Sequence, residues 1–194
     1  MLSVIISTEG AEKPTAVTLA ALVPGAVAGL IREVLLVDGT DNGAIERVAD
    51  VAGCRFIGFR GPHGAALAAG AQQARSPWLM FLRTGAVLES GWIEETTQFI
   101  QSASLSDKPR AAVFRYARSP HTNASLSSSL GDAFSLLAWR IVGPSVDQGL
   151  VIARGHYDQL GGHPPHARRS EARLLRRLGR SSRTLLRSRI MMMA

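Results

Sequence analysis

Short apolar runs alternate along the first half of the chain with segments whose apolar positions recur at helical spacing. Residues 2–7 (LSVIIS), 33–39 (EVLLVDG), 54–59 (CRFIGF) and 78–82 (WLMFL) predict strands. Residues 14–31 predict a helix with Leu19, Leu22, Val23, Ala26 and Leu30 on one face. Residues 42–53 predict a short helix closed by Gly53, and residues 64–75 an alanine-rich one. Residues 90–103 predict an amphipathic helix with Ser90 as N-cap and Trp92, Ile93, Thr96, Phe99 and Ile100 on its apolar face. Strands that alternate with helices imply an α/β fold with a mostly parallel sheet and helices on both sides.

The second half is less regular. Residues 111–117 alternate as a strand, and a serine-rich connection follows at 118–129. Residues 130–143 predict a helix, 149–154 a strand, 168–180 a basic helix and 184–188 a last strand. The first half reads as a nucleotide-binding α/β unit, and the second as added elements that complete a site.

The chain has 194 residues, 46% of them hydrophobic, enough for one domain with a real core. A single cysteine, Cys54, excludes an intramolecular disulfide, fits a reducing compartment and reads as a buried small hydrophobe. The N-terminus lacks the basic start of a signal peptide, and the low-polarity run 16–31 is too short for a bilayer span and contains Pro24-Gly25. These features point to a cytoplasmic protein. The net charge of +7 is uneven, because residues 167–194 hold nine arginines against one acid, Glu171. The rest of the chain therefore carries about one net negative charge. Such a segment favours phosphates or an anionic membrane surface, which would place the protein peripherally at the inner face, or it is a solvated helix face. Aromatics are few and none is interleaved with the arginines, which argues against nucleic acid.

Four places carry candidate chemistry. Asp38 ends an apolar strand and enters the turn DGTDNG, where it accepts hydrogen bonds from a base or ribose or builds the turn; Asp41 reads as a turn or cap residue. The stretch GFRGPHG (58–64) resembles a phosphate loop only loosely, although the helix behind it presents an N-terminus. His156, His163 and His166 invite a metal reading, but no cysteine or carboxylate completes a ligand set, and Pro164-Pro165 argue for a rigid loop. Asp147 and Gln148 precede a strand and either line a pocket or make a turn.

The series SVIIST, EVLLVDG, AALAAGAQQARSPWLMFLRTGAVLESGW, AAVFRYA, DQGLVIAR, YDQLGGHPP and EARLLRRLGR, in this order, resembles the family 2 glycosyltransferases of the GT-A fold. The likeness is greatest to a small bacterial subgroup labelled transferase 2, radical-SAM/selenodomain-associated. The resemblance implies one GT-A-like domain over residues 1–190, with 1–103 the nucleotide-binding half and 104–190 the acceptor side. It implies transfer of a sugar from a nucleotide-sugar donor, with Asp38 at the base or ribose and Thr8 and Glu9 in the first nucleotide-binding loop. Asp147 and Gln148 fall on the acceptor side.

Two expected motifs depart from the family. An Asp-x-Asp metal motif belongs at residues 83–85, where the chain reads Arg83-Thr84-Gly85, so no metal ligand and no cofactor is expected although magnesium or manganese is usual in the family. Arg83 instead suits direct pairing with the donor diphosphate. Thr84 and Gly85 are small, so the loop is expected to leave room for restored acids. A Glu-Asp pair belongs near 170–171, where Ser170-Glu171 leaves Glu171 as the candidate base. A glutamine frequent in the glycine loop is replaced by Ala66, and the first loop reads Ser7-Thr8-Glu9-Gly10-Ala11. The alternatives are an inactive GT-A domain that binds a nucleotide or a partner, and a basic adaptor built on the C-terminal arginines.

Overall fold

A computed structural model describes residues 1–40, 43–117, 148–167 and 169–193. The expectations for Asp41, the serine-rich connection, the helix at 130–143 and Asp147 lie outside these residues. In chain order the elements are β1 (Leu2–Ser7), α1 (Glu12–Val27), β2 (Ile31–Asp38), α2 (Ala44–Ala52), β3 (Arg55–Gly58), α3 (His63–Gln73) and β4 (Trp78–Arg83). There follow β5 (Ala86–Leu88), α4 (Trp92–Ser104), β6 (Ala111–Tyr116), β7 (Leu150–Ala153), α5 (Arg154–Gln159), α6 (Ser170–Leu178) and β8 (Arg183–Met192).

The strands form one eight-stranded sheet in the order β3-β2-β1-β4-β7-β6-β8-β5. From β3 to β4 all pairs are parallel; β7 runs antiparallel to β4 and β6, β8 parallel to β6, and β5 antiparallel to β8. Strand order reverses between β1 and β4, where a crevice opens at the carboxyl ends of parallel strands. Ser7 and Arg83 are register partners at that point.

Both faces of the central strands are buried, which is why they read as unbroken apolar runs. Leu2, Val4, Ile6, Trp78, Met80 and Leu82 join the core beneath α1, α2 and α4. Ile5, Leu35, Val37, Leu79 and Phe81 join the other, beneath α3, α5 and α6. Each such side chain contributes about 1.5–3 kcal/mol on burial. The small residues of α3 let it lie close to the sheet: a Cβ on Gly70 would stand 2.5 Å from Ile5 Cγ2. That close approach holds the first residue of α3, His63, over the strand ends.

Several local expectations are corrected. Helix α1 continues through Pro24; of its expected face Leu22 is buried, Leu30 is buried just beyond the helix and Leu19 packs on the core, but Val23 and Ala26 are exposed, and Thr15, Thr18 and Gly25 complete the buried face. Thr15 and Thr18 hide their hydroxyls by donating to the carbonyls of Ala11 and Pro14, so they pack as apolar residues. Gly25 admits the Trp92 ring, which would lie 2.5 Å from an added Cβ. Helix α4 begins at Trp92 behind Gly91 at φ 87°, with no side-chain cap from Ser90. Strand β5 and helix α5 are too short to show a period and carry no signal of their own. Strand β8 extends through the methionine-rich segment, pairing Met191 and Met192 with Val87 and Ala86. Cys54 is half-buried against the core, and burial raises its thiol pKa. No helix among the described residues is long and apolar enough to cross a membrane.

Candidate functional site

The loops after β1, β2 and β3 surround an open cleft of about 500 Å3, lined among others by Ser7, Glu9, Gly39, Thr40, Phe59, Arg60 and His63. This size and position suit a small polar ligand. Asp38 lies under the cleft, 3% exposed. Its Oδ1 accepts from Thr8 Oγ1 at 2.6 Å and from the Gly10 N–H at 2.6 Å; Oδ2 accepts from the Thr40 N–H at 2.8 Å and from Thr40 Oγ1. Burial pushes the Asp38 pKa up, but the hydrogen bonds from Thr40, Thr8 and Gly10 outweigh it and hold the carboxyl below its ordinary value. Thr8 is itself buried, its hydroxyl donating to Asp38 with Val37 O as a longer second contact at 3.3 Å. These two residues tie the first loop to the second, and the residues beside them line the cleft.

Glu9 is exposed and holds a left-handed backbone, φ 48°, unusual for a side chain of its size. Its Oε1 lies 2.9 Å from His63 Nδ1. On the other side of the same ring, Nε2 lies 2.7 Å from Glu171 Oε1, while Glu171 Oε2 accepts from Ser170 Oγ at 3.0 Å. With a carboxylate at each ring nitrogen, both nitrogens donate and the ring is an imidazolium. The hydrogen bond to Glu171 raises the His63 pKa against the opposing effect of burial. Burial pushes Glu171 up, but the bond and charge of His63, with Ser170, bring it to about 2. The N-termini of α3 and α6 meet closely here: a Cβ on Gly64 would stand 2.5 Å from Ser170 Cβ.

His63→Ala is expected to destabilise the fold by about 2 kcal/mol. The loss carries a pH signature. The folded His63 pKa lies above its ordinary 6.5, so its contribution is full below 6.5 and fades as pH rises through the folded value. The folded Glu171 pKa lies below its ordinary 4.5, so its contribution is full above 4.5 and fades as pH falls towards about 2. Urea melts of the two proteins should differ most between these ordinary values, and less at about pH 3 and about pH 9.

His63 and Glu171 also line a second, smaller cavity of about 20 Å3 with Arg83, Phe81, Leu67, Gly149, Leu150, His163 and Leu175. His63 is thus a wall common to both spaces. Glu171 and Arg83 meet at the small cavity; Glu9 faces the open cleft, with Thr8 and Asp38 beneath it. Gln148 is buried beside the cavity-lining Gly149. Sequence spacing does not single out His63 as a partner of Glu171 or His163 as a wall of the same cavity: His63 lies within a glycine-rich stretch, and His163 carries only a metal reading. His163 lies in a ring cluster with Phe81 and Tyr157, His166 is exposed, and no group of three His, Cys, Asp or Glu among the described residues is placed to hold a metal.

The turn Arg83-Thr84-Gly85 is not a spacious loop. The Gly85 N–H donates to Pro14 O at 3.0 Å, and Gly85 O accepts from Met193 N at 2.8 Å. Gly85 has φ 84°, and an added Cβ would stand 2.3 Å from Met193 O. This corrects the expectation of room for an acid there. Gly85→Asp should cost about 2–3 kcal/mol through left-handed strain and collision with β8, measured as a fall in the urea midpoint.

The α6 leucines Leu174, Leu175 and Leu178 face the core. Arg169, Arg173 and Arg176 line a concavity of about 580 Å3 on its solvent side.

No family model matches the sequence, and no curated protein matches it. Among solved structures, the fold is similar to residues 1–349 of TarS from S. aureus, with TM-score 0.68 and 14% identity over 98% of this chain. The chain spans 60% of that structure's length. It is also similar to glucosyl-3-phosphoglycerate synthase from Mycobacterium tuberculosis, described in complex with Mn2+, UDP and glucosyl-3-phosphoglycerate. There the TM-score is 0.66 at 15% identity, covering 100% of this chain and 71% of that one. A third, a mycobacterial protein, gives TM-score 0.63 at 17% identity, covering 98% and 65%. At these identities the likeness is one of fold: the chain has the GT-A type of α/β architecture.

Proposed function

We propose that this chain is a glycosyltransferase that holds a nucleotide-sugar donor in the open cleft and transfers the sugar to an acceptor hydroxyl. The observation that carries the reading is the placement of Glu171 and Arg83 on one small cavity that has His63 as a wall in common with the open cleft. The GT-A architecture supports it, as does UDP-GlcNAc in a TarS structure of the same fold. In this reaction the acceptor O–H gives its proton to the Glu171 carboxylate, and the oxygen forms the new bond to the sugar carbon. The bond from that carbon to the diphosphate breaks, and the electron pair leaves on the diphosphate beside the Arg83 guanidinium.

A divalent cation on the diphosphate is usual with this fold, but the donor set does not fit one. The strand end offers an arginine, a threonine and a glycine whose N–H and carbonyl are both committed to the backbone. The reading is therefore of metal-independent transfer. Calorimetry with uridine and guanosine diphosphates should give the same affinity in chelator and in manganese, falling as salt is added. Turnover of the matching nucleotide sugars completes the test. Strict metal dependence overturns the arginine role, and no binding in either condition overturns the transferase reading. Binding without turnover would favour an inactive nucleotide-binding module, which the tight pairing of Glu171 with His63 also supports. The arginine face of α6 supports an anionic partner, such as acidic lipid headgroups, on the helix that carries Glu171.

A further inference from the structure

His163 follows α5 and is 2% exposed. Its ring meets Phe81 edge-on at a centroid distance of 4.6 Å, and the Tyr157 ring stacks on Phe81 at 5.2 Å. The Tyr157 hydroxyl accepts from the His163 backbone N–H at 3.1 Å and lies 2.9 Å from His163 Nδ1. A phenol has one proton to donate. Among the described residues Nδ1 is the only acceptor within reach of that proton, so the phenol donates to Nδ1. Burial raises the Tyr157 pKa to about 12 and lowers that of His163 to about 4, so both groups are neutral near pH 7. A neutral imidazole that accepts at Nδ1 carries its hydrogen on Nε2.

That Nε2–H has no partner among the described residues. The His163 ring lines the small cavity, and the apolar walls Leu67, Phe81, Leu150 and Leu175 offer no side-chain acceptor. A buried donor without an acceptor is costly, so the site is built for an oxygen. A volume of about 20 Å3 holds a single oxygen-sized group. Glu171 supplies a proton acceptor on the same cavity. A group that accepts on one side and donates on the other, at that size, is a water molecule or the hydroxyl of a ligand that takes its place.

We propose that His163 is the residue that positions the acceptor hydroxyl. Its Nε2–H donates to the oxygen of a slender, unhindered alcohol whose own O–H points to Glu171. Its part in transfer rests on the glycosyltransferase reading. During transfer the hydroxyl proton moves to Glu171, the oxygen's other lone pair forms the bond to the sugar, and His163 exchanges no proton. Tyr157 sets the direction of donation by occupying Nδ1.

The test is nitrogen-15 NMR of histidine-labelled protein, titrated with ethylene glycol and, as a bulky control, tert-butanol. The expected result is a protonated Nε2 and unprotonated Nδ1 at His163, with an Nε2–H resonance that moves saturably with ethylene glycol and not with tert-butanol. Tyr157→Phe should bring out the Nδ1-protonated form and weaken the glycol response. His163→Phe, which keeps a ring in the cluster, should raise the KM for ethylene glycol as acceptor about tenfold and leave uridine diphosphate affinity unchanged. An Nδ1-protonated wild-type ring, or equal responses to both alcohols, overturns the proposal without needing any variant. If the glycol response holds but no nucleotide binds, the transferase reading falls and the hydroxyl site stands. If nucleotide binds and turns over without a glycol response, the His163 role alone falls.

Discussion

Glu171→Gln is expected to lower sugar transfer by about 10²–10⁴-fold, the usual contribution of a positioned general base. Glutamine has the same shape, and its amide oxygen still accepts from His63, so the meeting of α3 and α6 should persist. What is lost is the ability to take a proton. Affinity for nucleoside diphosphate should stay within about threefold, because Glu171 lies on the small cavity and is not among the residues that line the open cleft. The wild-type pH profile should add a second signature. While His63 is an imidazolium it pairs with Glu171 at 2.7 Å and weakens it as a base. Transfer should therefore rise as pH increases through the raised pKa of His63, the two groups titrating as a coupled pair. Single-turnover rates across pH, with and without the substitution, measure both effects. Unchanged transfer in Glu171→Gln would remove this residue from the mechanism.

Asp38→Ala is expected to cost about 3 kcal/mol of stability, a fall of about 6–12 °C in Tm for a chain of this size. The carboxylate collects donors from Thr8, Gly10 and Thr40, and all of these bonds would be lost, Thr8 keeping only its longer contact to Val37 O at 3.3 Å. A carboxylate that only met a base or ribose would, on removal, weaken the ligand site and leave the fold intact. The geometry makes the cleft itself depend on Asp38, because the loop carrying Glu9 and the loop carrying Gly39 are joined through it. The folded pKa of Asp38 lies below its ordinary 3.8, so this stabilisation is present above 3.8 and is lost as pH falls through the folded value. Asp38→Asn keeps one oxygen as acceptor and should cost less. Thermal melts at neutral and acid pH measure the difference; equal melting of Asp38→Ala and wild type would show the loops to be held by other contacts.

The sequence by itself determined the central architecture. β1, β2 and β4 are buried on both faces, so their apolar runs stand out against polar turns, and the helices between them follow from local spacing and from Gly53. The alternation of these elements is enough to imply a parallel sheet with ligand-facing strand ends. The sequence singles out Asp38, Arg83 and Glu171 as candidates because each follows or replaces a residue at a recognisable place in that pattern. Only the tertiary structure decided what these residues do to one another. His63 and Glu171 are 108 positions apart, and no local period reports a pair that forms when two helix N-termini meet. The buried face of α1 is only partly legible, Leu22 but not Val23 or Ala26, because Thr15 and Thr18 satisfy their hydroxyls on their own helix and then pack as apolar groups. Gly85 looked like open space because a sequence records the absence of a side chain. It does not record the backbone of β8 that fills the place one would occupy. His163 looked like a loop residue, and became a directed donor only where a phenol, its own backbone N–H and an apolar cavity came together around one ring.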